Sequence, residues 1–440
     1  MIKIYDLPSA RKTILKRTPL RSMSIPEVVQ AGTERLFGAG VTPAEGVARI
    51  LASVQAEGDA ALRRWSALLD KDAPSDYRIT APRLERAYRA LSDSLRRAMR
   101  IAAERIRQFH ELQPLPNWQT ESLGGRLGQR VTPIERVGVY VPGGSAPLPS
   151  SLLMSVIPAQ VAGVKHVVVC TPPPPHETIL AAAHLCGLEC IYQVGGAQAI
   201  AAMAFGTETI PKVDKIVGAG NLFVTLAKQQ VYGVVGLDGL AGPTETLIIA
   251  DETARPAWVA ADLLAQAEHD VLASAILVTP DTELAQAVQI EVARQMENLS
   301  RAELIAQALD NRSGIVLTPD LETAAHLAND YAPEHLCLSV TNPSALMPLI
   351  HHAGGIFLGE TSFEVLGDYI AGPSHIMPTG GTARFASPLN VLDFVKITSL
   401  IGLNEAASKT LSPQAALIAR AEQLSAHAAA AEYRSGATNV

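Results

Sequence analysis

The chain has no CxxC pair, no run of basic residues, no complete G-x-G-x-x-G and no long apolar stretch free of proline, and each absence removes a class of protein. Four cysteines, Cys170, Cys186, Cys190 and Cys337, are too few and too irregularly placed for a disulfide framework or a cysteine zinc site. Cys186 and Cys190, four apart, suit one side of a helix better than a bridge. Such usage fits a reducing, cytoplasmic setting. A formal charge of -7 without a basic run argues against a nucleic-acid partner held by phosphate neutralisation, which leaves a small molecule as the expected partner. The N-terminus, MIKIYDLPSARKTILKR, interrupts each apolar stretch with a charge or a proline and offers no small-residue cleavage site, so no signal peptide is expected. The longest uncharged run, Val137 to Val164, holds four prolines and several glycines, a composition that excludes a membrane helix.

What is present is length and periodicity. At 440 residues, 48% of them hydrophobic, the chain exceeds what one core organises, and two or more domains are expected. From Ser24 to Gln119 apolar residues recur at three- and four-residue spacing, the pattern of helices that cover a core. The texture then changes to short β-rich runs at Arg136 to Val141, His166 to Cys170, Cys190 to Val194 and Lys215 to Val217. A second series follows at Thr246 to Ala250, Ala275 to Pro280, Gly314 to Pro319, His335 to Val340 and Gly354 to Gly359. Strands alternating with helical stretches predict parallel sheets with crossover helices. The expected fold is α/β: two Rossmann-like α/β units lacking the GxGxxG fingerprint, plus N-terminal helices and a C-terminal helical tail. That tail is expected as one alanine-rich helix from Pro413 to Arg434, with Ser412 as cap and Pro413 at its first position. No internal repeat is visible in the letters, although two similar α/β units leave room for one.

The candidate functional residues each compete with an ordinary structural reading. Gly195-Gly196-Ala197-Gln198 and Gly218-Ala219-Gly220-Asn221-Leu222-Phe223 follow predicted strands and approximate a dinucleotide-binding turn, but a plain tight turn needs the same glycines. In ADLLAQAEHD, winding at about 100° per residue puts Asp262, Gln266 and His269 on one stripe and turns Leu263, Leu264 and Ala267 away. A polar stripe is ordinarily a solvated face; periodicity alone proposes His269 as a metal ligand and does not propose Gln266, an uncommon one. YAPEHLCLSV puts Glu334 and His335 at the mouth of a strand, where open α/β sheets bind ligands, and an adjacent carboxylate and imidazole can divide acid-base work. Cys337, on the same strand face, is either a nucleophile or, as is more common, a small buried hydrophobe. Asp368 and His375 bracket GDYIAGPSH, a stretch suited to closing over something small. His427 stands among alanines in EQLSAHAAAA, and Glu422, five positions earlier, falls some 140° away on an ideal helix.

Taken together, RVGVYVPGGSAPLPSSLLM, VGGAQAIAAMAFGTETIPKVDKI, AGPTETLIIAD, LLAQAEHD, YAPEHL, GDYIAGPSH and SPLNVLDFVK resemble the histidinol dehydrogenase family over nearly the whole chain. The resemblance implies a zinc ion (Zn2+) held by Gln266, His269, Asp368 and His427, with substrate nitrogens completing the shell. It implies NAD contacts at Tyr140, Gln198 and Asn221, and substrate contacts at Thr244, His335, His375 and Glu422 beside the zinc ligands. Glu334 and His335 would be catalytic in two successive oxidations, L-histidinol to L-histidinaldehyde to L-histidine. It also implies a homodimer of intertwined chains whose C-terminal tails enter each other's active sites. The domain division implied is an arm at 1–24, a main domain at 25–138 and 244–389, an NAD-contacting domain at 139–243, and a dimerisation segment with tail at 390–440. Two positions depart from the family pattern: Ala219 replaces the proline of GPGN, and Thr244 a frequent serine, keeping the hydroxyl and adding a methyl group. The alternatives are a paralogous zinc/NAD dehydrogenase for another small polar alcohol, a two-lobed ligand-binding protein, and an aldehyde dehydrogenase acting through Cys337.

Overall fold

A parallel strand covered by helices on both faces must be apolar on both faces, and ETLIIA, SAILVT and HLCLS read that way. In the computed structural model, Glu245–Ala250, Ser274–Thr279 and His335–Ser339 are strands in which every residue is buried. The structure describes residues 2–17, 27–70, 72–143 and 146–435; the helical start expected at Ser24, part of the 1–24 arm and the last five residues of the tail lie outside them. The chain divides into two compact units, one comprising Met1–Leu112 and Glu135–Asp393 and the other Gln113–Ile134 and Phe394–Val440. Among the described residues no helix is long and apolar enough to cross a membrane.

The larger unit contains two six-stranded sheets. In one, the strands Arg136–Tyr140, His166–Thr171, Cys190–Gln193, Lys215–Val217 and Gly236–Leu237 lie parallel, and their spatial order is third, second, first, fourth, fifth. Arg78–Thr80 adds an antiparallel strand beside the third. In the other, Glu245–Ala250, Ser274–Thr279, Gly314–Leu317, His335–Ser339 and Gly355–Leu358 take the same order, with Ile4–Tyr5 parallel at the outer edge. The two series are therefore one topology used twice, a repeat the letters conceal. Each sheet has a switch point between its first and fourth strands, from which the connections run in opposite directions.

Alternation supplies the cores. Ile248, Leu277, Ile315 and Cys337 pack on one face of the second sheet and Leu247, Ile249, Ile276, Val316 and Leu336 on the other. The N-terminal helices Pro43–Glu57 and Asp59–Leu69 cover the first sheet, where Val47, Ile50, Val54 and Leu62 join Ile200, Met203 and Val224 in one buried cluster. Thr42 and Glu45 form a reciprocal capping box that starts the first of these helices.

The smaller unit holds an antiparallel sheet in the order Val395–Leu403, Gly125–Pro133, Trp118–Thr120, followed by two helices. Here the structure corrects the expected single helix from Pro413 to Arg434: Glu405–Ala421 and Ser425–Ser435 are separate. Asn404, rather than Ser412, is the cap, accepting from the Ala407 amide at 2.9 Å. Pro413 sits inside the first helix on an exposed face, where the carbonyl that loses its amide partner is open to solvent and the cost of losing the bond is reduced. The helix ends at Glu422 and the chain reverses through Gln423 at φ 61°. Glu422 and His427 thus belong to different elements, and the 140° separation of one ideal helix does not apply.

The fourth strand of the first sheet ends in a turn that only glycine fits. Gly218 has φ +105°, and a Cβ there would lie 2.2 Å from the Tyr140 carbonyl oxygen. Its amide donates to Asp238 at 2.7 Å and its carbonyl accepts from the buried Lys228 at 2.8 Å, so the turn cannot shift freely. Gly218→Ala is expected to destabilise the protein by about 2–4 kcal/mol. Thermal unfolding measures this, and a wild-type midpoint would contradict the close approach.

Candidate active site

The helix Leu321–Tyr331 ends at Ala332, which is left-handed at φ 50°, and Pro333 prevents its continuation. The chain enters the strand His335–Ser339 with Glu334 and His335 at its beginning, 7% and 3% exposed. Parallel pairing sets Thr246 opposite His335, so Thr244 and Glu245 come to lie beside Glu334 and His335. This corrects the expectation of a strand mouth of the usual kind: the pair stands at the amino ends of the strands, whereas open α/β sheets bind ligands at the carboxyl ends.

A relay of hydrogen bonds joins four of the expected residues or their neighbours. Gln266 Nε2 donates to Thr244 Oγ1 at 2.8 Å, and Thr244 Oγ1 donates to Glu334 Oε2 at 2.6 Å. The same Glu334 oxygen accepts the Glu245 amide at 3.1 Å. His335 Nδ1 faces the Glu245 carbonyl at 3.3 Å and lies 3.7 Å from Glu334 and 3.9 Å from Glu364. Its Nε2 lies 3.6 Å from Asp368 Oδ1, with no hydrogen bond among the described residues.

Gln266 differs from its expected place on a solvated stripe. It is wholly buried, and the helix Pro256–Ala267 stops just after it, leaving His269 beyond the helix end, tied by its amide to the Gln266 carbonyl. Asp262 is half-buried, and burial followed by the charge of Glu360 pushes its carboxyl up to about 7. Leu263, Leu264 and Ala267 do face the core. His269 is exposed by surface area, yet enough protein surrounds it to lower its pKa, with Asp368 opposing that shift. The short helix Glu364–Tyr369, which carries Asp368, packs against Pro256–Ala267. His375 spans this region, with Nδ1 2.8 Å from the Asp368 carbonyl and Nε2 3.2 Å from Ser151 Oγ.

Burial dominates the electrostatics. It pushes Glu334 up to about 7 against the opposing pull of His335 and the Thr244 hydroxyl. His335 moves upward as well, because Glu364, Glu334 and Asp368 outweigh the burial that would keep it neutral. Cys337 is 3% exposed in the core, and burial raises its thiol far above the ordinary range, the setting of an inert packing cysteine and not of a thiolate nucleophile.

Among the described residues no group of three or more His, Cys, Asp or Glu side chains forms a ready metal cluster. The expected ligand set includes a glutamine, and Gln266 bears on its fit: Nε2 is used by Thr244, and Oε1 is buried with no partner among the described residues. An unmatched buried carbonyl oxygen costs roughly 1–3 kcal/mol, which a cation would offset. Gln266, His269 and Asp368 thus offer an amide oxygen, an imidazole and a carboxylate from two packed helical elements. His427 and Glu422 are exposed residues of the smaller unit.

Tyr140, Gln198 and Asn221 all follow strands of the first sheet. Tyr140 ends the first strand, and its hydroxyl accepts the Gly196 amide at 3.1 Å. Gln198 is buried in the helix after the third strand, with Oε1 unmatched among the described residues. Asn221 caps the helix Leu222–Val231 through the amides of Phe223 and Val224. Sequence reasoning passed over Glu364, 1% exposed and hydrogen-bonded to Thr246, and Glu245, 3% exposed. The available signal was a lone acid in an apolar setting, in SFEVLG and TETLII.

The histidinol dehydrogenase family model matches residues 41–435. The chain is 49% identical to the histidinol dehydrogenase of Deinococcus radiodurans, over 96% of this chain and 98% of that one. It is 52% identical to that of Thermus thermophilus, over 89% and 95%. The crystal structure of histidinol dehydrogenase from Elizabethkingia anophelis superposes with a TM-score of 0.89 at 36% identity, covering 98% of both chains. Matches of this extent establish that the chain is an oxidoreductase belonging to the histidinol dehydrogenase family.

Proposed function

We propose that this protein oxidises L-histidinol to L-histidine through L-histidinaldehyde, in two successive hydride transfers to NAD, as the last steps of histidine biosynthesis in the cytoplasm. The observation that carries the reading is the buried pair Glu334–His335, held by Thr244 and the Glu245 peptide beside Gln266, His269 and Asp368. Zinc, bound by Gln266, His269, Asp368 and His427, would serve as a template anchoring the imidazole and amine of the substrate.

His335 has its Nδ1 turned to a backbone carbonyl, so that in its neutral form, which the surrounding acids disfavour, the Nε2 lone pair is left for the substrate hydroxyl. In the first step Nε2 takes the hydroxyl proton while hydride leaves the carbinol carbon for the nicotinamide, giving aldehyde and NADH. Glu334 then removes a proton from a water that adds to the aldehyde carbon. A carboxylate with its pKa raised to about 7 is a better base for this than an ordinary glutamate. That proton transfer leaves the hydrate as an oxyanion, which would become the acid on giving a second hydride to a second NAD, Glu334 and His335 passing the protons they took to solvent. His375 and Glu422 bind the substrate, Glu422 accepting the ring N–H.

For NAD, the supporting feature is the switch point of the first sheet, since Tyr140 ends the first and Asn221 follows the fourth of the strands that flank it. Residues 139–243 form the NAD-contacting domain in this reading, 25–138 with 244–389 the main domain, and 390–440 the dimerisation segment. The smaller unit exposes Ile401 at 78%, Leu417 and Ile418 at 63% and Tyr433 at 77%, apolar surface suited to a homodimer whose tails act in trans.

Incubation with histidinol and NAD is expected to yield NADH, more than with other amino alcohols. A chelator should abolish the activity and zinc restore it; full activity in metal-free protein, or a better amino-alcohol substrate, would overturn the assignment.

Glu334→Gln is expected to damage aldehyde oxidation far more than alcohol oxidation, while His335→Asn impairs the first hydride transfer. Equal losses in both half-reactions for Glu334→Gln would refute the division of labour. Cys337→Ala should keep substantial activity.

For the tail, His427→Ala and His335→Asn are each expected to be nearly inactive. Refolded together in equal amounts, half the dimers are mixed, and with crossed tails each mixed dimer has one intact site of two, so about a quarter of wild-type activity returns. No recovery from dimers shown to be mixed would place the tail in its own subunit.

A further inference from the structure

Arg17 lies ahead of the stretch that matches the family model and has no part in the chemistry proposed above. Its side chain is 21% exposed, and its hydrogen bonds to the described residues end in two places. The first is the carboxylate of Glu245, which both terminal nitrogens reach, Nη2 at 2.8 Å. The second is the bend before Glu334: Nε donates to the Tyr331 carbonyl at 2.7 Å and Nη2 to the Ala332 carbonyl at 3.1 Å. The guanidinium also stacks 3.6 Å above the Tyr331 ring.

Those two places hold the acid-base pair. The Glu245 amide holds the Glu334 carboxylate and the Glu245 carbonyl faces His335 Nδ1. Tyr331 and Ala332 lead through Pro333 directly into Glu334 and His335, and Ala332 occupies a left-handed conformation that a non-glycine residue keeps only when its surroundings impose it. A rigid planar fork spanning both segments fixes their separation, which a single ammonium cannot do.

We infer that Arg17 is a positioning residue: from the N-terminal arm it clamps Glu245 to the Tyr331–Pro333 bend and thereby sets the geometry of Glu334 and His335. The inference rests on the reading of those two residues as the acid-base pair.

The test is a single turnover of histidinol oxidation, with enzyme in excess over substrate and NAD saturating. Under these conditions the rate constant reports assembled sites and is insensitive to a modest unfolded fraction. Arg17→Lys keeps the charge opposite Glu245, and the double variant Arg17→Met/Glu245→Gln removes both charges, so neither leaves a buried carboxylate alone. Both are expected to retain cooperative unfolding. The rate constant should fall roughly tenfold or more in the double variant, and by a smaller factor in Arg17→Lys, in line with the sensitivity of catalysis to small misplacements. A wild-type rate constant in either variant, if folded, overturns the positioning role. His335→Asn is run beside them: if it keeps the wild-type constant, the acid-base reading itself has failed; if it alone is slow, only the role of Arg17 has.

Discussion

Two peptide groups of Glu245 hold the site together. Its amide and its carbonyl face outward from the amino end of the first strand, and the neighbouring parallel strand delivers Glu334 to one and His335 to the other. Burying a carboxylate and an imidazole here is costly unless each has a fixed partner, and backbone groups are the least mobile partners a protein has. The register of two strands therefore does what a mobile side chain could not. It presents two titratable groups side by side, with the His335 Nε2 left without a hydrogen bond among the described residues.

The same constraint explains the depth of the supporting shell. Glu245 must be buried to stand at that strand end, and its side chain would then be an uncompensated charge without Arg17; breaking such a pair costs about 3–5 kcal/mol. Glu364, 1% exposed, is matched by Thr246 and by proximity to His335. Glu245, Glu334 and Glu364 each accept a specific side-chain hydrogen bond, whereas among the described residues the Gln266 amide oxygen and the His335 Nε2 are buried without a partner.

Much of this was legible in the letters, and the rest was not for identifiable reasons. Continuous apolar runs gave the parallel strands, because burial on both faces leaves no room for polar residues. Residue types gave Glu334, His335, His269 and Asp368 as candidates, but Gln266 came only through likeness to a family, since periodicity places it on a polar stripe and the helix end that buries it has no strong stop signal. Pro413 misled for a related reason: a proline usually marks a helix start, yet Asn404 upstream is the better cap and solvent tolerates the proline inside. Arg17 is invisible to sequence reasoning, because its partners lie 228 and 314 residues away and only the tertiary fold brings them together.

The repeated topology sharpens the last point, because the two sheets share one strand order but do not carry their candidate sites at the same end. In the first sheet, Tyr140 ends one of the strands flanking the switch point and Asn221 lies past the carboxyl end of the other, where Gly218 lets the backbone turn tightly. In the second sheet the corresponding end is cross-linked: Asp251, just past the first strand, accepts the Thr341 amide beyond the fourth at 2.7 Å and both the amide and hydroxyl of Thr253. Glu334 and His335, the proposed acid-base pair, stand at the opposite, amino end, where the helix Leu321–Tyr331 stops at a left-handed residue and a proline. On the proposed reading, a fold-level rule about carboxyl ends thus holds for one copy of the motif and not for the other.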